Sequence, residues 1–567
     1  MSGIFLLYHV SRFCGRIFLM NELSFKIKNA IKKLFDVDFE PEITPAPKNT
    51  GADFSSNIAM KLAGILKRNP REVAELISQE FDDIKVEIAG PGFLNFTLSD
   101  AYFMGKIDNI CNDFDSSVAS DAYAGKTVIC EFSDPNPFKV LHVGHLYTSI
   151  VGDSIARLFE YAGAKVIRAN FGGDVGLHVG KTMWALMKSD MREFTIEDVA
   201  AKYVEGTRAY EEDEAAQAEI VDINKKVYEI AENDLHDSDL AKMYWQGREL
   251  SYRYFEDFYQ RIGVKFDKYY PESTVAKRGL AEVKKGLEQG VYEMSDGAVV
   301  YRGDEKIGLH TRVFINKEGL PTYEAKDVGL IYTKWDDYRF DKSVVITGND
   351  IIDYMKIVLA SVSEMNPELP ERTTHLTHGQ VKLAGSVKMS SRKGNFLKAV
   401  DVLNMIGDEL KSEYNSEDEK IVLGATKYAF LKYKMGGDII FEPEESVKMT
   451  GNSGPYLLYA ALRAKKVLEK VQNVDGTWAA ELEDPERNLI KKVIQYKDVL
   501  AEAVTEMAPH KICSYLYELA QEFSRFYESC PVVGSEAEAS RAKITTSYYK
   551  TMLHGLNLLG MIVPEEM

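Results

Sequence analysis

Apolar residues recur at helical spacing in LSFKIKNAIKKLF, which predicts a helix beginning near Asn21. A Pro-rich stretch follows. The run DFSSNIAMKLAGILKRNPREVAELISQEF then predicts two helices, the first capped by Asp53 or Ser55 and the second with Pro70 in its first turn. IKVEIAGPGFLNFTLS alternates as two short strands around a Gly-Pro-Gly turn. Residues 20–115 therefore read as a compact α+β unit, continued through the linker DFDSSVASDAYAG. From Lys126 the texture changes. KTVICEFS reads as a buried strand, DPNPFKVLHVGH as a loop, LYTSIVGDSIARLFEYAGA as an amphipathic helix closed by Gly163, and KVIRANFGG as a second strand. Strand, helix and strand in that order form a parallel unit of a doubly wound sheet. Further strand signals stand at AVVYRG, RVFIN and SVVITG, and beyond about Asp438 helices run to the end.

Composition adds limits to this pattern. The chain has 567 residues, 45% of them apolar and 28% charged, enough for several folded cores and far from a disordered composition. Its formal net charge of -18 argues against indiscriminate attraction to polyanions. That charge is unevenly spread. Residues 201–240 hold twelve acids against four bases, as a solvated helical face inserted in the sheet domain, whereas residues 445–567 are close to balanced. Cys14, Cys111, Cys130, Cys513 and Cys530 are scattered with no C-x-x-C pair, which fits a reducing cytoplasm and predicts no structural metal site. Residues 1–19 read as an extension too short and too interrupted by Arg12 and Arg16 to span a membrane, and Met20 offers a second start.

Two constellations carry candidate chemistry. In His142-Val143-Gly144-His145, a Gly between two imidazoles at the opening of a helix lets backbone approach a nucleotide. The imidazoles can donate hydrogen bonds to an α-phosphate under attack by a carboxylate. Some 240 residues later, Lys388-Met389-Ser390-Ser391-Arg392-Lys393-Gly394-Asn395 combines Ser, Gly and three bases, a composition suited to a triphosphate whose charge passes to departing pyrophosphate.

HVGH resembles the HIGH signature, and KMSSRKGN the KMSKS loop, of class I aminoacyl-tRNA synthetases. The resemblance narrows to the arginyl-tRNA synthetase family, because EFSDPNPFKVLHVGHLYTSIVGD with KVIRANFGGDVG is similar to that family's catalytic start. TYEAKDVGL resembles its specificity segment, GNSGPYLLYAALRA and PHKICSYLYELAQEFSRFYESCPVV its anticodon-binding domain, and TGADFSSNIAMKLAGILKRNPREVAELI with PGFLNF its N-terminal domain. The resemblance implies a multidomain α/β fold. A Rossmann-like catalytic domain at 121–400, with a helical insertion at about 185–290, follows the N-terminal add-on domain at 20–115. A linking helical segment at 401–444 leads to an all-α anticodon-binding domain at 445–567.

The family motifs also imply residue roles. His142, His145 and Lys388 would be catalytic, and His142, Gly144, His145, Lys388, Ser390 and Ser391 would bind ATP, with Mg2+ carried on its phosphates. Glu131 and Asn136 would hold polar groups of L-arginine, and Tyr323 and Asp327, four apart on one helical face, would pack and pair its guanidinium. Phe93, Asn95, Tyr456, Tyr459 and Tyr527 would meet unpaired nucleotides of tRNA(Arg). The implied reaction joins arginine to tRNA through arginyl-adenylate, with activation dependent on bound tRNA, in a monomer. The sequence departs from the family in several places. Ser391 stands where a second loop Lys is common, Val175 and His178 where Trp and Gln are common, and Ile351 and Ile352 where polar residues are expected, leaving Asn349 and Asp350 as the remaining polar groups of that segment.

Overall fold

The computed structural model describes residues 18–47, 50–82, 84–189, 191–304, 308–384, 397–472 and 476–567. The described residues open with the helix Phe18–Phe35. Strands β1 (Ile43–Pro45), β2 (Phe54–Ser56), β3 (Lys85–Ala89) and β4 (Phe93–Thr97) then form an antiparallel sheet in the order β1-β2-β4-β3, covered by the helices Ile58–Leu66 and Pro70–Ser78. Pro70 occupies the first turn of its helix, where its missing N–H leaves no gap in the ladder, and Asn69 caps it from Oδ1 to the Arg71 N–H at 2.9 Å. The cap expected from Asp53 or Ser55 is not formed. Asn57 holds the N-cap position, Ser55 lies within β2, and Asp53 accepts the Leu98 N–H at 2.8 Å while pairing with Arg487 and Lys491 of the C-terminal helices. A buried carboxylate is held by the strongest donors within reach, and here these come from another part of the fold.

The largest sheet is five-stranded and wholly parallel, made of β5 (Thr127–Glu131), β6 (Lys165–Gly172), β7 (Lys268–Pro271), β11 (Lys342–Gly348) and β12 (Thr373–His378), in the order β12-β11-β5-β6-β7. Between β7 and β11 the chain forms a small antiparallel sheet of β8 (Glu293–Ser295), β9 (Ala298–Tyr301) and β10 (Arg312–Ile315). Two of the expected strands, in AVVYRG and RVFIN, therefore lie outside the central sheet. Helices Leu177–Met187, Ile196–Glu212, Glu214–Asn233 and Asp239–Ile262 form the insertion. It ends earlier than 290, because Lys268–Pro271 returns to the sheet and pairs with β6 before the helix Glu272–Glu288 begins.

From β5 the chain crosses through the helix Val143–Tyr161 to β6 on one side, and β11 lies on the other side of β5. The point where strand order reverses opens a crevice at the carboxyl ends of the strands, the usual ligand position in such sheets. After β12 a short parallel pair, β13 (Val381–Leu383) with β14 (Ile439–Phe441), leads into an all-helical region. Its last turn touches the helix Val143–Tyr161. Ser154 Oγ donates to the Leu558 carbonyl at 3.0 Å, and Arg157 Nη1 donates to the Asn557 carbonyl at 3.2 Å. No helix among the described residues is long and apolar enough to cross a membrane.

Candidate active site

His142 follows the β5 loop and caps the helix Val143–Tyr161. Its Nδ1 accepts the Gly144 N–H at 3.1 Å, and the His145 Nδ1 accepts the His142 N–H at 3.1 Å, a reciprocal capping box made by two imidazoles. Both Nδ1 atoms are thus acceptors, so the neutral rings carry their protons on Nε2. The rings stack with centroids 3.8 Å apart. Burial, with Lys139 nearby, takes His142 down to about 4, and burial and the neighbouring imidazole hold His145 well below the ordinary value. At neutral pH the pair therefore offers two N–H donors without charge, beside the positive end of a helix. A side chain at Gly144 would stand 2.9 Å from the His142 ring, so any larger residue immediately before His145 would displace that imidazole.

These groups line a cavity of about 970 Å³ at the switch point. Ser133, Asp134 and Asn136 enter it from the end of β5, Gly348, Asn349, Asp350 and Ile351 from the end of β11, and His378 and Gly379 from the end of β12. Ile346, Val143, Val381 and Leu397 add apolar wall. Asn349 is partly engaged, its Nδ2 donating to the Gly436 carbonyl at 2.9 Å. Ile351 faces the cavity, whereas Ile352 opens the helix Ile352–Met365. Lys388, Ser390 and Ser391 lie outside the described residues. The segments on either side of them reach the site: Val381 and Leu397 line the cavity, and Val143 N donates to the Leu397 carbonyl at 2.9 Å.

Behind Asn136 lies a cluster of acids drawn from distant parts of the chain, with Glu131 and Glu272 buried and Asp134 and Asp327 half-buried. Glu131 Oε2 accepts from Lys334 Nζ at 2.6 Å, and Glu272 Oε2 accepts from Lys326 Nζ at 2.6 Å, both pairs almost wholly buried. Asp134 and Asp327 form no ion pair with Lys or Arg among the described residues. Asp134 Oδ1 accepts the Phe171 N–H at 2.8 Å, and Asp327 accepts the hydroxyl of Tyr354. Burial, reinforced by Glu131, raises Asp134 well above the ordinary carboxyl range, and burial pushes Asp327 up to about 7. Burial also raises Glu272. The structure thus brings Glu131, Asn136 and Asp327 together, but Glu131 is already committed to Lys334 and not open to a ligand on that oxygen. Tyr323 stands at the edge, 55% exposed, with Lys326 Nζ 5.1 Å from its ring centre. Sequence reasoning missed Asp134, Glu272, Lys326, Lys334 and Tyr354. Asp134 stands beside Asn136 in the same loop, whereas Glu272 was concealed by reading 185–290 as one helical block.

The expected RNA-facing residues divide. Phe93 is 40% exposed at the start of β4. Asn95, two residues on, is only 6% exposed, flanked in register by Ser55 and Glu87 of the adjoining strands, and so is set back from the surface that Phe93 occupies. Tyr459 and Tyr527 are exposed, and the Arg463 guanidinium lies 3.8 Å over the Tyr527 ring. Tyr456 is partly buried, edge-on to Tyr517.

Three family descriptions match consecutive parts of the chain: "Arginyl tRNA synthetase N terminal domain" at residues 21–98, "tRNA synthetases class I (R), catalytic domain" at 109–441, and "DALR anticodon binding domain" at 457–567. An arginine–tRNA ligase of Fusobacterium nucleatum is 29% identical, with 96% of this chain and 99% of that protein aligned. One of Shewanella sediminis is 30% identical over 94% and 96% of the two chains. Among solved structures, arginyl-tRNA synthetase from Thermus thermophilus superposes with a TM-score of 0.78 at 22% identity, covering 97% of this chain and 100% of that one. The Plasmodium falciparum enzyme gives 0.77 at 20%, covering 97% and 99%. A Mycobacterium tuberculosis methionyl-tRNA synthetase in complex with methionyl-adenylate shares the fold more distantly, with a TM-score of 0.52 at 13% identity over 78% of this chain and 92% of that one. With a catalytic-domain match over more than half its length and relatives aligned over nearly all of it, the chain belongs to the arginyl-tRNA synthetase family of class I.

Proposed function

We propose that this chain is an arginine–tRNA ligase that activates L-arginine with ATP and transfers it to the 3′ end of tRNA(Arg), with bound tRNA required for activation. The observation that carries the arginine assignment is the charge of the buried cluster. Glu131 and Glu272 each hold a lysine, whereas Asp134 and Asp327 are left with neutral donors. A polar cluster with more carboxylates than cations is complementary to a ligand bearing a guanidinium and an ammonium group. Asp327 and Tyr323 would hold the guanidinium, Asp134 and Asn136 would face the α-amino end, and ATP would lie in the cavity along β5 and β11.

In that arrangement the arginine carboxylate attacks the α-phosphorus, the bond to the β-phosphate oxygen breaks, and pyrophosphate leaves. His142 and His145 stabilise charge on the α-phosphate oxygens through Nε2–H donation. Because the rings are neutral and already seated by their Nδ1 bonds, little reorganisation accompanies the transition state. Orientation supplies much of the remaining gain, since no side chain forms a covalent intermediate. Lys388, Ser390 and Ser391 would meet the leaving pyrophosphate. Asp350, a cavity carboxylate, has the hard oxygen donors that suit the hydration shell of a phosphate-bound Mg2+, which would neutralise triphosphate charge. A ribose hydroxyl of the tRNA then attacks the adenylate carbonyl and releases AMP. Of the expected RNA-facing aromatics, Phe93, Tyr459 and Tyr527 are exposed and would stack on unpaired nucleotides, and Asn95 would serve from its set-back position only through its neighbours. Charging of total tRNA with each amino acid, together with ATP–pyrophosphate exchange with and without tRNA, tests the proposal: charging with arginine alone is expected, and its absence would refute it.

A further inference from the structure

We infer that Asp174, which does not line the cavity, is the positioning residue that ties the arginine site together by fixing the start of the helix Glu272–Glu288 and the turn after β6 at once. The inference rests on the arginine site proposed above. Asp174 is wholly buried and lies just past β6. Its Oδ1 accepts the Ser273 N–H at 2.9 Å, and its Oδ2 accepts the Ser273 hydroxyl at 2.7 Å and Arg248 Nε at 2.9 Å, with the Tyr244 hydroxyl at 3.5 Å. Ser273 immediately follows Glu272, whose helix has Pro271 at its N-cap and no side-chain cap of its own. Asp174 supplies from outside what that helix end lacks, a side-chain acceptor for one of its first N–H groups, that of Ser273.

The same turn holds the other wall. Gly173 N donates to Asn136 Oδ1 at 2.9 Å, and the Gly173 carbonyl lies 2.7 Å from His178 Nε2. A side chain at Gly173 would stand 2.6 Å from Asn136 Oδ1 and 3.1 Å from Glu272 Oε1, so the turn passes directly between Asn136 and the Glu272–Lys326 pair. Any shift of Asp174 moves Asn136 through Gly173 and Glu272 through Ser273. Arg248 and Tyr244 belong to the helix Asp239–Ile262, so the insertion is anchored to the same point. The network contains no member of the His142–His145 pair and reaches the ATP cavity only through Asn136, so its effect should fall more on arginine than on ATP.

The test is steady-state charging by Asp174→Asn and Ser273→Ala with arginine, ATP and tRNA varied in turn. Asp174→Asn is expected to raise KM for arginine about tenfold or more, with kcat and KM for ATP within about twofold, since the charge-assisted contact to Arg248 is lost and the resulting shift reaches Asn136 and the start of the Glu272 helix. Ser273→Ala should move the same constant in the same direction by about threefold, and it decides the matter if Asp174→Asn does not fold. Absence of charging by the unaltered enzyme overturns the arginine reading and this inference with it. Normal charging with KM for arginine unmoved in both variants, or with kcat alone reduced, overturns the positioning role only.

Discussion

The two halves of the active site solve opposite electrostatic problems. On the ATP side, burial strips His142 and His145 of charge, and each ring is seated by a backbone N–H. An anionic ligand there meets neutral donors and a helix end. On the arginine side, burial works against carboxylates that are retained in excess, and Asp327 is pushed up to about 7 with a tyrosine hydroxyl as its partner. A ligand charge completes one half, whereas the other half is complete without it. Low dielectric thus favours a preorganised set of dipoles for the transition state and an underneutralised pocket for substrate selection.

The largest expected effect falls on the first half. His145→Ala removes one Nε2–H donor and the cap of the His142 N–H together, and kcat should fall about 100-fold to 1,000-fold with KM for arginine little changed. Steady-state charging measures this, and an equal rise in KM for arginine would merge the two halves into one. Asp327→Asn acts on the second half. It keeps the shape but leaves a guanidinium without its carboxylate, so KM for arginine should rise about 100-fold while KM for ATP stays within about twofold.

Their legibility differed for the same physical reason. The phosphate-facing group is a run of adjacent residues, His142, Gly144 and His145, because one helix end builds it. Asn136 lies in the same loop, and Asp327 could be placed with Tyr323 by helical spacing. The remaining acids and lysines are gathered by tertiary folding alone. Glu272 enters the site because Lys268–Pro271 pairs with β6, and a four-residue strand between two long helices leaves no periodicity to read. Asp53 was misread as a cap for a related reason, since a sequence window displays local N–H groups but not Arg487, more than 400 residues away. The parallel sheet and the helical C-terminal region were legible because their apolar patterns run long.

A smaller effect is expected away from both halves. Tyr527→Ala removes a ring that already carries the Arg463 guanidinium on one face, and KM for tRNA should rise about tenfold, the value of one stacked base, with KM for arginine and ATP unmoved. Charging assays with tRNA as the varied substrate check this, and an effect on either small substrate would mean that the helical region reaches the pocket directly.

The central claim is that ionised Asp327 is what an arginine guanidinium finds in the pocket. The direct measurement is KM for arginine between pH 6 and 8.5, in unaltered protein and in Asp327→Asn. The folded-state value of Asp327 is raised to about 7, so below that pH the carboxyl is protonated and must lose its proton before it can pair. KM for arginine should therefore rise by up to about tenfold per pH unit as pH falls below about 7 and level off above it, and Asp327→Asn should flatten that limb. A profile flat through this range in unaltered protein, or one that keeps its slope in Asp327→Asn, would contradict the account.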